Sequence, residues 1–265
     1  MKYLFWNANK EIINDYIVKL SVKNDYDMII LAEYGDDIND LLKKMQSNKI
    51  IMYKIMSNCK RIKILSKSKP NKIKHCNETE YYTIKILEVN KSEKQIIAAV
   101  HLPSKLYAED EDRRIEISEI VSHIEKLECK YKTNNTIIVG DFNADPFEGC
   151  MTKITGLHSV SSKDVALKIK RTVKQREYNM FYNPMWNKFG DFQGVAGTYY
   201  YSGSTAEEIF WHIFDQVIIR PQLISRFEEE KLNIITQIED DILVKNNTRI
   251  MVSDHLPIEF SVMEV

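Results

Sequence analysis

The chain has 265 residues, with 37 Lys or Arg against 38 Asp or Glu, so its net charge is −1; 44% of its residues are hydrophobic and 28% charged. That balance excludes a disordered, collagenous or low-complexity chain, and a length of about 250 residues is common for one α/β domain whose core needs no staple. No run of 18 apolar residues occurs, and Tyr3-Leu4-Phe5-Trp6 is too brief for a secretory signal, so the expectation is a cytoplasmic protein without a transmembrane helix.

Residues 2–6 predict a short apolar strand. Ile12, Ile13, Tyr16, Ile17 and Leu20 recur at helical spacing and predict a helix over about 10–23. The run 27–32 (DMIILA) predicts a buried strand, and 37–47 a second helix. Strands are predicted at 50–56, 61–66, 72–76, 80–89 and 95–101, with Asn90-Lys91-Ser92-Glu93 turning between the last two. Ile117, Ile120, Val121, Ile124 and Leu127 predict a long helix over 109–130. Its acidic start, Asp110-Glu111-Asp112, suits the helix dipole. A strand at 136–139 ends in Gly140-Asp141-Phe142-Asn143, and a short helix is expected within 146–155. The stretch 158–196 reads as irregular and rich in aromatics. Strands return at 198–201, 213–219, 232–238 and 257–263. No linker or repeat divides the chain, so a single domain over 1–265 is expected. Helices alternating with antiparallel strand runs fit two packed sheets with helices outside.

Charge is unevenly placed. Lys43 to Lys74 holds eleven basic and no acidic residues, and Lys163 to Arg176 holds six basic residues against Asp164 alone. A basic sector on an otherwise acidic chain suits a polyanion, although a solvated strand face would look the same. Cys59, Cys76, Cys129 and Cys150 form no CxxC pair. Cys59 and Cys76 could meet across a hairpin, but reduced thiols are expected.

Polar residues stand where apolar strands end: Asn7, Glu33, His101, Asp141 and Asp215. Strand ends are rigid platforms on which such groups can converge. Asp141 and Asn143 would face one ligand if the chain stayed extended, the carboxylate taking a metal or water and the amide a phosphate oxygen; the alternative is an Asx turn. Asp254 and His255 are adjacent, so their side chains diverge. Asp254 would bind a hard cation, and His255 would handle a proton with Asp215 orienting it. The oxygen set Asn7, Glu33 and Asp254 suits Mg²⁺, with Mn²⁺ as substitute, far better than zinc. His75, His123, His158 and His212 read as structural or surface histidines.

The motifs FWNAN (5–9), ILAEYG (30–35), AVHLPS (99–104), IIVGDFNADP (137–146), FDQVII (214–219) and VSDHLPI (252–258) together resemble those of the endonuclease/exonuclease/phosphatase superfamily, the group of deoxyribonuclease I, abasic endonucleases, neutral sphingomyelinases and inositol polyphosphate phosphatases. The resemblance spans nearly the whole chain. It implies an α+β fold, a four-layer α/β/β/α sandwich of two mainly antiparallel sheets, with the site at one rim. It implies Glu33 as the main metal ligand beside Asn7 and Asp254. Asp141 and Asn143 would position or activate water, His101 and His255 would contact phosphate, Asp215 would support His255, and Glu80 would orient His101.

The chain departs from the family in places. Ala32 stands where Gln usually precedes the metal Glu, and His101-Leu102-Pro103-Ser104 replaces the abasic-enzyme Tyr motif. The reading is a Mg²⁺-dependent phosphodiesterase, an endo- or exonuclease on DNA or RNA, monomeric by default. Arg171, Lys174, Arg176, Trp186 and Tyr199 are its candidate substrate contacts, since aromatics among basic residues can stack bases. The alternatives are a phosphatase or phosphodiesterase acting on a small phosphate ester or lipid head group, and a non-catalytic binding module on the same fold.

Overall fold

The computed structural model describes residues 1–264 except Tyr107, Thr205 and Glu207. Along β1 (Lys2–Asn7), Tyr3 and Phe5 point to one side, Leu4 and Trp6 to the other, and all four are buried. A strand covered on both faces reads as a continuous apolar run, which is why YLFW does. α1 (Asn14–Asn24) leads to β2 (Met28–Ala32), which lies parallel to β1 with Ala32 opposite Asn7. α2 (Ile38–Ser47) is N-capped by Asp37, whose carboxylate accepts from the Asn39 amide. β4 (Ile62–Ser66) then pairs antiparallel with β2, and β3 (Tyr53–Ile55) completes that edge antiparallel to β4.

β5 (Ile73–Glu78), β6 (Tyr82–Glu88) and β7 (Lys94–His101) form a meander. α3 (Asp110–Tyr131) crosses to β8 (Thr136–Asp141), parallel to β7 with Asp141 opposite His101. After α4 (Gly149–Thr152) come β9 (Ser159–Val160), α5 (Lys163–Ala166), β10 (Lys170–Val173), β11 (Arg176–Asn179) and β12 (Phe181–Tyr182). β13 (Tyr199–Tyr200) pairs with β14 (Trp211–His212), and β15 (Asp215–Ile219) runs antiparallel to β8. β16 (Asn233–Ile234) precedes two short pairs, β17 (Gln237–Ile238) with β18 (Asp241–Ile242) and β19 (Val244–Lys245) with β20 (Arg249–Ile250). β21 (Ile258–Ser261) returns beside β1.

The strand order is β16-β21-β1-β2-β4-β3 in one sheet and β5-β6-β7-β8-β15-β12-β9 in the other. Tyr3, Phe5, Ile30 and Ile64 of the first meet Ile97, Ala99, Val139 and Val217 of the second. On the outer face of the first, Leu4, Trp6 and Ile29 meet Ile17, Leu20 and Leu41 of the helices. On the outer face of the second, Ile84, Ala98 and Ile138 meet Ile117, Ile120 and Ile124 of α3. These are the four layers α/β/β/α of the expected sandwich. One local expectation fails: 158–196 is not irregular but contains β9 to β12. Those strands are two to four residues long, too short for alternation to register in sequence. Cys59, Cys76, Cys129 and Cys150 are free thiols.

The end of the second sheet away from Asp141 is closed by Arg220. Its Nε and Nη2 donate to both oxygens of Glu128, Nη1 donates to the Met180 carbonyl, and the guanidinium lies 3.8 Å from the Phe181 ring centroid. Removing one partner of a buried ion pair strands the other. Arg220→Ala should therefore cost about 3–5 kcal/mol of stability in urea unfolding, whereas substitution of the exposed Lys168 should cost almost nothing.

Candidate active site

Each sheet contains a parallel pair joined by a helix, β1/β2 through α1 and β7/β8 through α3. The C-terminal ends of the four strands carry Asn7, then Glu33 one residue past β2, His101 and Asp141. Packing the sheets face to face brings the four ends to one rim, where Asn7 Nδ2 donates to Asp141 Oδ2 at 2.9 Å across the two sheets. His101 Nε2 lies 3.2 Å from Glu33 and 3.7 Å from Asp141. The hydrogen bond from His101 holds the Glu33 carboxyl well below the usual carboxylate range, against the opposing effect of partial burial.

β15 and the turn before β21 complete the rim. Asp215 stands opposite Asp141 in register and is fully buried. His255 Nδ1 donates to Asp215 Oδ2 at 2.8 Å, and His255 Nε2 lies 3.8 Å from Asp141 Oδ2. Burial alone would lower the His255 pKa, but the carboxylates of Asp215, Asp141 and Asp254 outweigh it and carry it up to about 10. The turn is pinned: Trp6 Nε1 donates to the His255 carbonyl, Ser253 Oγ donates to the Asn7 carbonyl, and the Leu256 amide donates to the Thr198 carbonyl. Asp254 turns outward to solvent while His255 turns in, the divergence expected of neighbours. Although Asp254 is exposed, partial desolvation by the rim around it raises its carboxyl against the opposing charge of His255, and the nearby Glu33 and Asp141 add to the rise.

Asn143 departs from the extended arrangement. It adopts a left-handed φ of 48°, and its amide donates to Asp141 Oδ1 at 2.8 Å. That is an Asx turn, so Asp141 and Asn143 do not project as i and i+2 of a strand. Asn143 Nδ2 instead donates to the Leu102 carbonyl, tying β8 to the loop after β7. Gly140 is required for this closeness. A Cβ there would stand 1.9 Å from the Val100 carbonyl oxygen of the paired strand.

The other candidates fall into two groups. Tyr199 joins the rim: it bridges to His255 in an isolated β-pairing, its ring centroid 4.7 Å from that of His255 and stacked on Phe214 at 5.2 Å. Trp186 is half-buried 6.4 Å from Phe147, four residues past Asn143. Glu80 is not brought to His101. Its carboxylate faces Arg61 at 3.9 Å, and His101 Nδ1 has no hydrogen-bond partner among the described residues. Glu80 sits in the exposed β5–β6 turn, where sequence proximity gives no inward direction. Arg171, Lys174 and Arg176 lie on the β10–β11 hairpin, which leaves the second sheet at the Arg220 end, opposite the rim. The reading of 158–196 as one continuous loop concealed this.

Sequence reasoning also passed over three neighbours of the rim. His212 lies between two carboxylates, Asp145 at 2.7 Å and Glu208 at 2.9 Å, with its ring stacked on Phe214. Lys105 reaches Glu148 at 2.5 Å and stands over the Phe214 ring. Asp145 belongs to the GDFNADP run and Lys105 follows AVHLPS, so motif adjacency was their available signal.

Glu33, Asp141 and Asp254 influence one another electrostatically, and carboxylate oxygens are the donors a hard divalent cation takes. A group of Asp141, Asp215 and His255 is also close enough to share a cation.

Comparison with solved structures identifies the architecture. TDP2 from D. rerio, complexed with a single-stranded DNA product, matches at 12% identity over 98% of this chain and 97% of that one, with TM-score 0.55. TDP2 from Caenorhabditis elegans matches at 17% identity over 98% and 96%, with TM-score 0.56. The 3'-5' exonuclease NExo from Neisseria meningitidis matches at 12% identity over 99% of each chain, with TM-score 0.58. An endonuclease/exonuclease/phosphatase family protein from Leptotrichia buccalis matches at 14% identity over both full chains, with TM-score 0.55. The chain has the DNase I-like endonuclease/exonuclease/phosphatase fold. No protein-family model matches the sequence, and neither does any curated protein.

Gly140→Ala should prise β8 from β7 at the residue before Asp141. Its expected signature is a loss of whatever activity the rim supports that exceeds the accompanying loss of thermal stability, measured side by side.

Proposed function

We propose that the chain is a Mg²⁺-dependent phosphodiesterase that hydrolyses nucleic-acid phosphodiester bonds by attack of water. The observation that carries the proposal is the Asp215–His255 pair converging on Asp141 from the opposite side to Glu33 and His101. Glu33 and Asp254, with the Asn7 side-chain oxygen, would hold the cation, which when bound offsets the charge developing on the phosphoryl oxygens.

The chain's own groups divide the remaining work. Asp215 keeps His255 protonated at neutral pH, so His255 Nε2 donates to a phosphoryl oxygen and stabilises charge. Asp141 is then the acceptor for the proton of the attacking water, oriented by the Asn7 side chain and the Asn143 amide. His101 Nε2 supplies a second donor beside Glu33. The Tyr199 hydroxyl, pushed up to about 12 by burial, stays protonated beside the His255 ring.

The surroundings favour a polymeric substrate. Arg61 precedes β4 at the rim, its carbonyl accepting from the Glu33 amide, and its guanidinium lies 5.1 Å from the Tyr81 ring centroid. The Arg61 backbone thus borders Glu33, while its guanidinium faces Tyr81 and Glu80. Phe147, Trp186 and Phe189 form an aromatic cluster next to the Asp141–Asn143 loop, with Phe147 and Phe189 exposed. Such a rim can stack bases beside phosphate contacts.

Single-stranded DNA, duplex DNA, RNA and small phosphate esters incubated with Mg²⁺ or with EDTA test this reading. Polymer cutting should require the metal. Both His255→Ala and Asp141→Asn should lower kcat by about 10²–10⁴-fold. Turnover of small esters with every polymer intact would replace the reading with a phosphatase, and no turnover of any substrate would remove it.

A further inference from the structure

The densest unopposed positive charge in the second half of the chain lies away from the catalytic rim. Residues 163–176 carry Lys163, Lys168, Lys170, Arg171, Lys174 and Arg176 against Asp164. Four of them stand on the two-stranded ribbon β10–β11, which belongs to neither main sheet. The pairings Arg171 with Tyr178 and Val173 with Arg176 put these four residues on one face. Lys170, Thr172, Glu177 and Asn179 share the other. On that second face Asn179 donates to Glu125 of α3 at 2.7 Å, and Lys170 pairs with the exposed Glu177 of the same ribbon at 2.8 Å, so the face's one carboxylate is taken up there. The first face therefore presents two exposed guanidiniums around a tyrosine, with no carboxylate. Lys174 and Gln175 make the turn, both left-handed with φ of 46° and 64°, the conformation of a type I′ hairpin. They set a further lysine at the tip.

The ribbon is anchored where the Met180 amide donates to the Ile169 carbonyl and Arg220 grips the Met180 carbonyl. Arg220 follows Ile219, the end of β15 opposite Asp215. A five-residue strand separates its two ends by about 13 Å. A phosphate held at Asp141 is thus out of reach of this face.

We propose that the β10–β11 ribbon is a second nucleic-acid contact, remote from the catalytic rim, that lays Arg171, Arg176 and Lys174 against the phosphates of a duplex groove. This deepens the function proposed above and rests on its polymeric substrate. A two-stranded ribbon has the width to enter the major groove, and arginine pairs with phosphate through its planar fork. An anionic membrane surface fits less well. The tip carries no apolar side chain to insert, and the exposed Leu167 and Ile169 stand at the base instead.

The test uses the full chain, wild type against Arg171→Gln/Lys174→Gln/Arg176→Gln, in EDTA so that cleavage does not intervene. Binding of a 30-base-pair duplex and of an 8-base-pair duplex (about 100 Å and about 27 Å long at 3.4 Å per step) is titrated across salt. The expected result is at least about tenfold weaker binding of the long duplex at 0.1 M salt, a salt slope shallower by about 2–3, and an unchanged short duplex. Hydrolysis of bis(p-nitrophenyl) phosphate with Mg²⁺ should match wild type. Lys174→Gln alone, at the solvent-exposed tip, should fold normally and lower the slope by about one. Equal affinity and slope for the long duplex in both variants would overturn the proposal. So would binding of phosphatidylserine vesicles, but not duplex, through the same residues. Absence of hydrolysis with the ribbon effect intact would instead count against the catalytic reading alone.

Discussion

The rim depends on one electrostatic problem: two carboxylates, Asp141 and Asp215, lie opposite each other on adjacent strands in the interior. Buried charge is tolerated only when it is paired and hydrogen-bonded. Asn7 and the Asn143 amide satisfy Asp141, and His255 answers Asp215 while facing Asp141 with its other nitrogen. Each of these groups comes from a different segment. The electrostatic solution therefore ties both sheets and the final turn into one registration.

The sandwich makes that solution rigid. The rim groups sit on the ends of strands buried on both faces, and Trp6, Ser253 and Thr198 lock the last turn onto β1 and the residue before β13 through hydrogen bonds to backbone carbonyls. The opposite end of the second sheet is handled differently. Arg220, Glu128 and Thr136 form a closed network there, in which each carboxylate oxygen has a donor. At the rim, by contrast, Asp215 Oδ1 and His101 Nδ1 lack partners within the described protein.

Several elements were legible before any fold was known. The helices at 14–24, 38–47 and 110–131 and the long strands were visible because their apolar spacing is periodic over enough residues. Asn7, Glu33, His101, Asp141, Asp215 and His255 were visible because each polar residue interrupts an apolar run. Glu80 was misjudged in direction, and of the two arrangements open for Asp141 and Asn143 the structure takes the Asx turn, since a turn residue's φ is set by contacts its neighbours in sequence do not reveal. Arg171, Lys174 and Arg176 were recognised as candidate substrate contacts, but their place at the Arg220 end, away from the rim, was not legible in the sequence.

The sequence by itself determined which residues are apolar, which strands are covered on both faces, and which polar groups end them, because burial and periodicity are local properties of composition. Tertiary structure alone decided which of those ends meet. It brought Asn7 to Asp141 across 134 positions and Asp215 to His255 across 40. It also sent the basic hairpin to the far end of the sheet. Convergence and separation of this kind follow from how two sheets pack and which way each connection turns, and no stretch of sequence encodes that without the partner it packs against.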